Sequence, residues 1–209
     1  MELLVRRTTQ AKDMSLKNNK YINYLCIIIF LNFSYSVNAD TKIKILDYLN
    51  SLQYFSASFI QNDNETLSQG MVYIGEKRVR AEYLSPSKIL IVLDEDKAMY
   101  YNYELEEDEF FNPKNTNAWF FYDIFRNPNF FENSKIILKN KEIILEKSGF
   151  NNEQTKYLIN VYFENNPMIL RKVEVFINDE FLRISIFNHN YNEDFDEDFF
   201  KLINPKFLD

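Results

Sequence analysis

The sequence predicts a mainly β protein: one curled, antiparallel sheet of about ten short strands, its concave face covered by a single aromatic helix. Three observations predict this. From Phe55 onward, apolar residues recur at every second position in short runs, the period of a half-buried strand. Turn material such as Asn62-Asp63-Asn64, Gly75-Glu76-Lys77, Ser85-Pro86-Ser87 and Asp94-Glu95-Asp96 separates the runs, so successive strands reverse direction. One stretch, Thr116 to Asn127, breaks the pattern with Trp119, Phe120, Phe121, Tyr122, Ile124 and Phe125 in close succession.

The chain opens on a leader. Lys17 and Lys20 precede an apolar block, Leu25 to Leu31, and Val37-Asn38-Ala39 follows. A basic region, a short apolar core and small residues before a cut make a secretory signal peptide, with cleavage expected after Ala39. The block is well short of the ~20 apolar residues a spanning helix needs, and Asn32 interrupts it. Met14-Ser15-Leu16-Lys17 would by itself make an ordinary start to such a leader. Cys26 sits inside the block behind Leu25, where a lipidated cysteine would instead end it behind a small residue. Residues 1–39 are therefore read as a cleaved signal peptide and 40–209 as one cysteine-free domain in the periplasm, stabilised by its core alone. Removing the leader takes the balance of Lys/Arg against Asp/Glu from 24 against 31 to 19 against 29. That acidity disfavours nucleic acid and anionic lipid headgroups.

The elements follow in order. Ile45, Leu46, Leu49 and Leu52 keep helical spacing, which predicts a helix over 43–52. Strands are expected at Phe55–Phe59, Met71–Ile74, Val79–Tyr83, Ile89–Leu93 and Ala98–Tyr101. Thr116 is positioned to cap a helix over Ala118 to Phe125, with Asn127-Pro128 stopping it. Strands resume at Lys135–Asn140, Ile143–Glu146, Lys156–Glu164, Ile169–Ile177 and Phe181–His189, the last two joined by a tight Asn178-Asp179 hairpin. The acidic runs Glu104–Glu109 and Asn192–Glu197 read as solvated turns, and Phe199–Phe207 as a closing segment.

A sheet that curls without closing leaves an interior for helices or ligand to fill. A helix apolar on all sides does not sit on a solvated surface, so the aromatic helix is a plug or a lid. The residue inventory argues against an enzyme. His189, the one histidine, ends a predicted strand without a cysteine or second histidine to share a metal, and reads as a surface residue. The acidic clusters lack the glycine-bearing calcium loop pattern, Gly70, Gly75 and Gly149 are scattered, and no carboxylate pair is singled out. No catalytic residue, metal or cofactor is expected.

Several segments together carry a family resemblance. Phe55-Ser56-Ala57-Ser58-Phe59-Ile60-Gln61, Gln69-Gly70-Met71-Val72-Tyr73 and Arg80-Ala81-Glu82-Tyr83-Leu84-Ser85-Pro86 resemble the opening of the LolA-type outer-membrane lipoprotein carriers. Leu90-Ile91-Val92-Leu93-Asp94, Met99-Tyr100-Tyr101-Asn102 and Phe200-Lys201-Leu202-Ile203-Asn204-Pro205 continue it. The resemblance implies an open antiparallel β half-barrel of about eleven strands with a helical lid. It also implies a monomeric periplasmic chaperone that takes acylated lipoproteins from an inner-membrane ABC lipoprotein-releasing complex and hands them on, with an outer-membrane acceptor lipoprotein as a further partner. An envelope sensor or regulatory lipid- or lipoprotein-binding module on the same fold is the alternative; such sensors usually carry a second domain.

Two departures from the family pattern stand out. The arginine that ties lid to barrel in many members has no counterpart near Gly75, leaving Arg78 or Arg80 as substitutes, and the C-terminal extension of some carriers is not seen after Pro205. The expected lipid-binding cavity residues are Val79, Ala81, Tyr83, Ile91 and Leu93, with Trp119, Phe120, Ile124 and Phe125 forming the lid. A one-residue slip in parity would turn each strand choice outward.

Overall fold

The computed structural model describes residues 40–207 apart from Pro128, Asn152, Glu153 and Asp179. The leader with its cut after Ala39, the Pro128 stop and the second residue of the Asn178-Asp179 turn lie outside the described residues. The chain divides into two units, 1–44 and 45–209. In the first, residues 40–44 are helical and Lys44 pairs with Asp40 at 2.7 Å. The second unit holds the sheet and the helices that pack on it.

Helical residues 45–51 form α1. Ile45, Leu49 and Leu52 fall on one face at intervals of four and three, and all three are buried. Six strands follow: β1 (Phe55–Asn62), β2 (Leu67–Ile74), β3 (Val79–Ser85), β4 (Ile89–Leu93), β5 (Ala98–Asn102) and β6 (Glu107–Phe111). After α2 (Trp119–Arg126) come β7 (Lys135–Lys139), β8 (Glu142–Phe150), β9 (Lys156–Glu164), β10 (Ile169–Ile177) and β11 (Glu180–Asn190). All eleven join one open antiparallel sheet in the order β6-β5-β4-β3-β2-β1-β11-β10-β9-β8-β7. Pairing of β1 with β11 joins two meanders, and β6 and β7 are left as edges, so the barrel does not close.

Alternation decides the inner face. On β9, Tyr157, Ile159, Val161 and Phe163 are buried while the residues between them are only partly covered. β10 and β11 add Val173, Val175, Ile184 and Ile186 to the same core, which α1 and α2 share. Gly70 is demanded by the sheet: a Cβ there would lie 2.1 Å from the Glu82 carbonyl oxygen, where the β2–β3 register slips by one.

The outer face of β4 and β5 carries a second cluster, Leu90, Val92, Met99 and Tyr101, against which Leu202 packs. The chain beyond β11 crosses this face as a strap. Arg80 donates to the Phe199 carbonyl and lies 4.2 Å from the Phe199 ring centroid. Asn204 donates to Asp108 at 2.8 Å. Two expectations need correcting here. The stretch Glu107–Glu109 is not a turn but most of edge strand β6, where charge on both faces protects the exposed edge. Nor is Asn192–Glu197 merely solvated: Glu193 accepts from Ser56, and Phe195 stacks with Phe199 at 4.9 Å.

Candidate functional site

Between α2 and the concave face lies a cavity of about 100 Å³. β3 and β4 supply Val79, Ala81, Tyr83, Ile91 and Leu93 to its wall. These five side chains share a face because Ala81 pairs with Ile91 and Val79 with Leu93 across the antiparallel ladder. Phe59 and Val72 extend the wall on β1 and β2, and Val173, Ile184 and Ile186 reach it from β10 and β11. α2 closes the top with Phe121 and Phe125, and Ala118 just before it does the same.

Polar groups on this wall are few and paired. The Tyr83 hydroxyl donates to Gln61 Oε1 at 2.8 Å, and burial pushes the phenol up to about 12, so it stays neutral. Tyr83 also meets Phe59 edge-on at 5.0 Å. The space suits hydrocarbon chemically but not in size: ligand pockets commonly hold ~300–1,000 Å³. An acyl chain therefore needs α2 displaced.

Of the residues expected on the lid, the structure places Phe125 on this cavity. Phe120 and Ile124 are buried in the core. Trp119 turns to the other side of the helix, edge-on to Phe130 at 5.7 Å and Tyr157 at 5.2 Å. Ala118 and Phe121 are the helix-side residues that sequence reasoning did not select; with Phe125 they keep spacings of three and four. Thr116 does not cap α2 directly. Its hydroxyl accepts from the Ala118 amide at 3.2 Å, and Ala118 is the residue that begins the helix, without a side-chain cap.

Arg126, in the last turn of α2, holds the helix down. Its Nη2 donates to the Leu52 carbonyl at 2.7 Å, just past α1, and Nη1 donates to the Glu76 carbonyl at 3.3 Å, in the β2–β3 turn. Nε is buried without an acceptor among the described residues, and burial lowers the guanidinium's hold on its proton. Arg78 and Arg80, the arginines expected to tie the lid, are engaged elsewhere. Arg78 pairs with Asp94 at 2.7 Å and donates to the Phe200 carbonyl at 3.1 Å, while Arg80 pairs with Glu82 and the strap. Arg78, just before β3, and Arg80, on it, thus both serve the strap and not α2.

His189 departs from its expected place at the surface. It is half-buried, its Nε2 is 2.7 Å from the Leu170 carbonyl oxygen and its ring stacks on Tyr191. Burial lowers its pKa. Among the described residues no group of three or more His, Cys, Asp or Glu is placed to hold a metal ion, and no helix is long and apolar enough to cross a membrane.

The family model described as "Outer membrane lipoprotein carrier protein LolA" matches residues 50–203. No curated protein sequence matches the chain. Among solved structures, an uncharacterized conserved protein from Thermus thermophilus aligns at 10% identity over 79% of this chain and 96% of its own, with a TM-score of 0.52. MucB aligns at 11% identity over 79% of this chain and 62% of its own, with a TM-score of 0.50. The MucA/MucB complex of Pseudomonas aeruginosa aligns at 12% identity over 76% and 60%, with a TM-score of 0.44. At such identities the likeness is one of fold. The chain spans about three fifths of the MucB chain it matches.

Proposed function

The chain belongs to the LolA family of outer membrane lipoprotein carrier proteins, and from that premise we propose that it is a periplasmic chaperone for acylated lipoproteins. It binds their acyl chains between α2 and the concave sheet and carries them from the inner to the outer membrane; it is a binding protein and not an enzyme. One observation carries the reading: the space under α2 is walled by apolar side chains from both meanders, and its polar pair, Gln61 and Tyr83, is satisfied internally.

Burying an acyl chain is worth ~0.8 kcal/mol per CH₂, so a lipoprotein free in water reinserts or aggregates. A carrier must match part of that gain and still let go. A small cavity under a helix held by two hydrogen bonds meets both demands: closure disfavours retention of acyl chains, and opening exposes Phe121 and Phe125 to them. The inner-membrane releasing complex and an outer-membrane acceptor follow from the family as partners in this proposal.

Titration with a fluorescent palmitoyl probe at low and high salt tests it. Apolar burial survives salt that screens exposed charges, so the affinity is expected to change less than about twofold. Binding that collapses with salt would indicate a charged ligand and overturn the mechanism. The second reading, an envelope sensor that binds a partner protein, has in its favour the likeness of fold to MucB. Because a sensor that reads misplaced lipoproteins also takes the probe, the two are told apart by transfer: a carrier hands a bound lipoprotein on to outer-membrane vesicles, and a sensor retains it.

A further inference from the structure

α2 has a second face, and that face looks onto a second cavity. About 380 Å³ lies beside Trp119, Phe130 and Tyr157, which form an aromatic wall. Four charged side chains line it, Asp123 from α2, Lys147 from β8 and the ion pair of Lys114 with Glu95 at 3.3 Å; the Lys147 ammonium sits 5.7 Å from the Phe130 centroid. Phe150 stands at its rim, 66% exposed. We propose that this cavity takes the first residues of polypeptide that follow the acylated residue of the cargo, so that a bound lipoprotein straddles α2, acyl chains beneath and peptide above.

The inference rests on the carrier reading of the apolar cavity. Size comes first: the space is within the ~300–1,000 Å³ range of ligand sites, whereas the cavity beneath α2 is not. Chemistry then selects a peptide. Aromatic rings pack against apolar side chains and peptide planes alike. Carboxylates and ammonium groups in equal number suit a neutral chain that offers both N–H donors and C=O acceptors. A fatty-acid carboxylate or a phosphate gains no net attraction, because Lys147 and Lys114 are matched by Asp123 and Glu95, and Lys114 is already paired with Glu95 at 3.3 Å. Asp123 is itself pushed up by burial, against a hydrogen bond from Asn127, as befits an acceptor partly removed from water. The buried indole N–H of Trp119 has no acceptor among the described residues.

Geometry sets a length. A helix with its side chains is ~10–12 Å across, and an extended chain covers ~3.3 Å per residue. A peptide therefore needs about four residues beyond the acylated one to pass round α2 and occupy the site.

Three probes test this on the mature chain: palmitate, a dipalmitoyl-cysteine amide, and the same lipid followed by six neutral residues. The six-residue lipopeptide is expected to bind about tenfold more tightly than the cysteine amide, and a two-residue version to show little of that gain. Lys147→Gln with Phe150→Ala should abolish the gain to within about twofold and leave palmitate unchanged; neither residue touches the apolar cavity. A double variant that keeps the gain overturns the proposal. So does one that loses palmitate equally, since the pocket would then read a carboxylate. Phe150→Ser alone, altering an exposed ring, gives the same comparison if the double variant fails to fold. Wild-type protein that binds none of the three probes would instead bring down the carrier reading, and this proposal with it.

Discussion

Replacing Arg126 with methionine keeps an apolar stem in place and removes the guanidinium that holds α2 closed. The bond to the Leu52 carbonyl is 2.7 Å long and charge-assisted, a class that contributes ~1.5–3 kcal/mol. The bond to the Glu76 carbonyl, at 3.3 Å and more exposed, adds ~0.5–1 kcal/mol. Against these stands the buried Nε without an acceptor among the described residues, a penalty of ~1–3 kcal/mol. At mid-range values the balance favours closure by about 1 kcal/mol, and 1.4 kcal/mol is about a factor of ten in an equilibrium. Arg126→Met is thus expected to raise the open population about fivefold and, because acyl chains bind the open form, to tighten apparent affinity by a similar factor. Stopped-flow release of a palmitoyl probe reads this as slower release, and thermal unfolding checks that the fold persists. A folded variant with unchanged affinity would refute the latch. Weaker binding would mean that Arg126 touches the ligand.

Other perturbations follow from the same contacts. Ala81→Phe should fill the small cavity and weaken palmitoyl-probe binding more than tenfold, at an overpacking cost of ~1–3 kcal/mol seen in urea unfolding; retained binding would move the acyl site elsewhere. Trp119→Ala, on a half-buried ring, should cost less than the ~3–5 kcal/mol of a core truncation and leave unfolding cooperative, while wild-type Trp119 emission shifts when a lipopeptide is added. His189 has a lowered pKa in the fold, so the unfolded chain binds more protons below ~6.5. Stability should fall as pH drops through ~6.5 towards the folded value, and His189→Gln should remove that component from urea midpoints measured between pH 7.5 and 5. N-terminal sequencing of periplasmic protein should read Asp40-Thr41-Lys42; retained Cys26 would contradict the leader reading.

Much of this architecture was legible because burial writes itself into alternation. Val79, Ala81 and Tyr83 on β3 alternate with Arg80 and Glu82 and so share a face, whereas Ile89 to Leu93 on β4 is apolar throughout, and its pairing with β3 is what puts Ile91 and Leu93 on that face. β6 was not legible: Glu107, Asp108 and Glu109 are polar on both faces, as an edge strand allows and a turn also would. The helix existed in the sequence, but its orientation did not. Asp123 and Arg126, three residues apart, mark a polar side, but the crowding of Trp119, Phe120, Phe121 and Tyr122 masks it, so Ala118 and Phe121 were not told from Trp119 and Phe120. Val173, Ile184 and Ile186 reach the cavity only through the pairing of β1 with β11, strands at opposite ends of the domain's sequence with no local signal for their contact. Arg126 reads in sequence as an ordinary basic residue in a last turn, favourable to the helix dipole; its partners at Leu52 and Glu76 are visible only in the fold.

The central claim is that acyl chains lie between α2 and the concave sheet. Photo-crosslinking with a diazirine-bearing palmitoyl lipopeptide, followed by peptide mass spectrometry, tests it most directly. The account expects label on Val72, Ala81, Ile91, Phe121 and Ile184, and its loss in Ala81→Phe. Label concentrated on the outer face, at Leu90, Met99 or the Phe195–Leu202 strap, or label that Ala81→Phe leaves untouched, would contradict it.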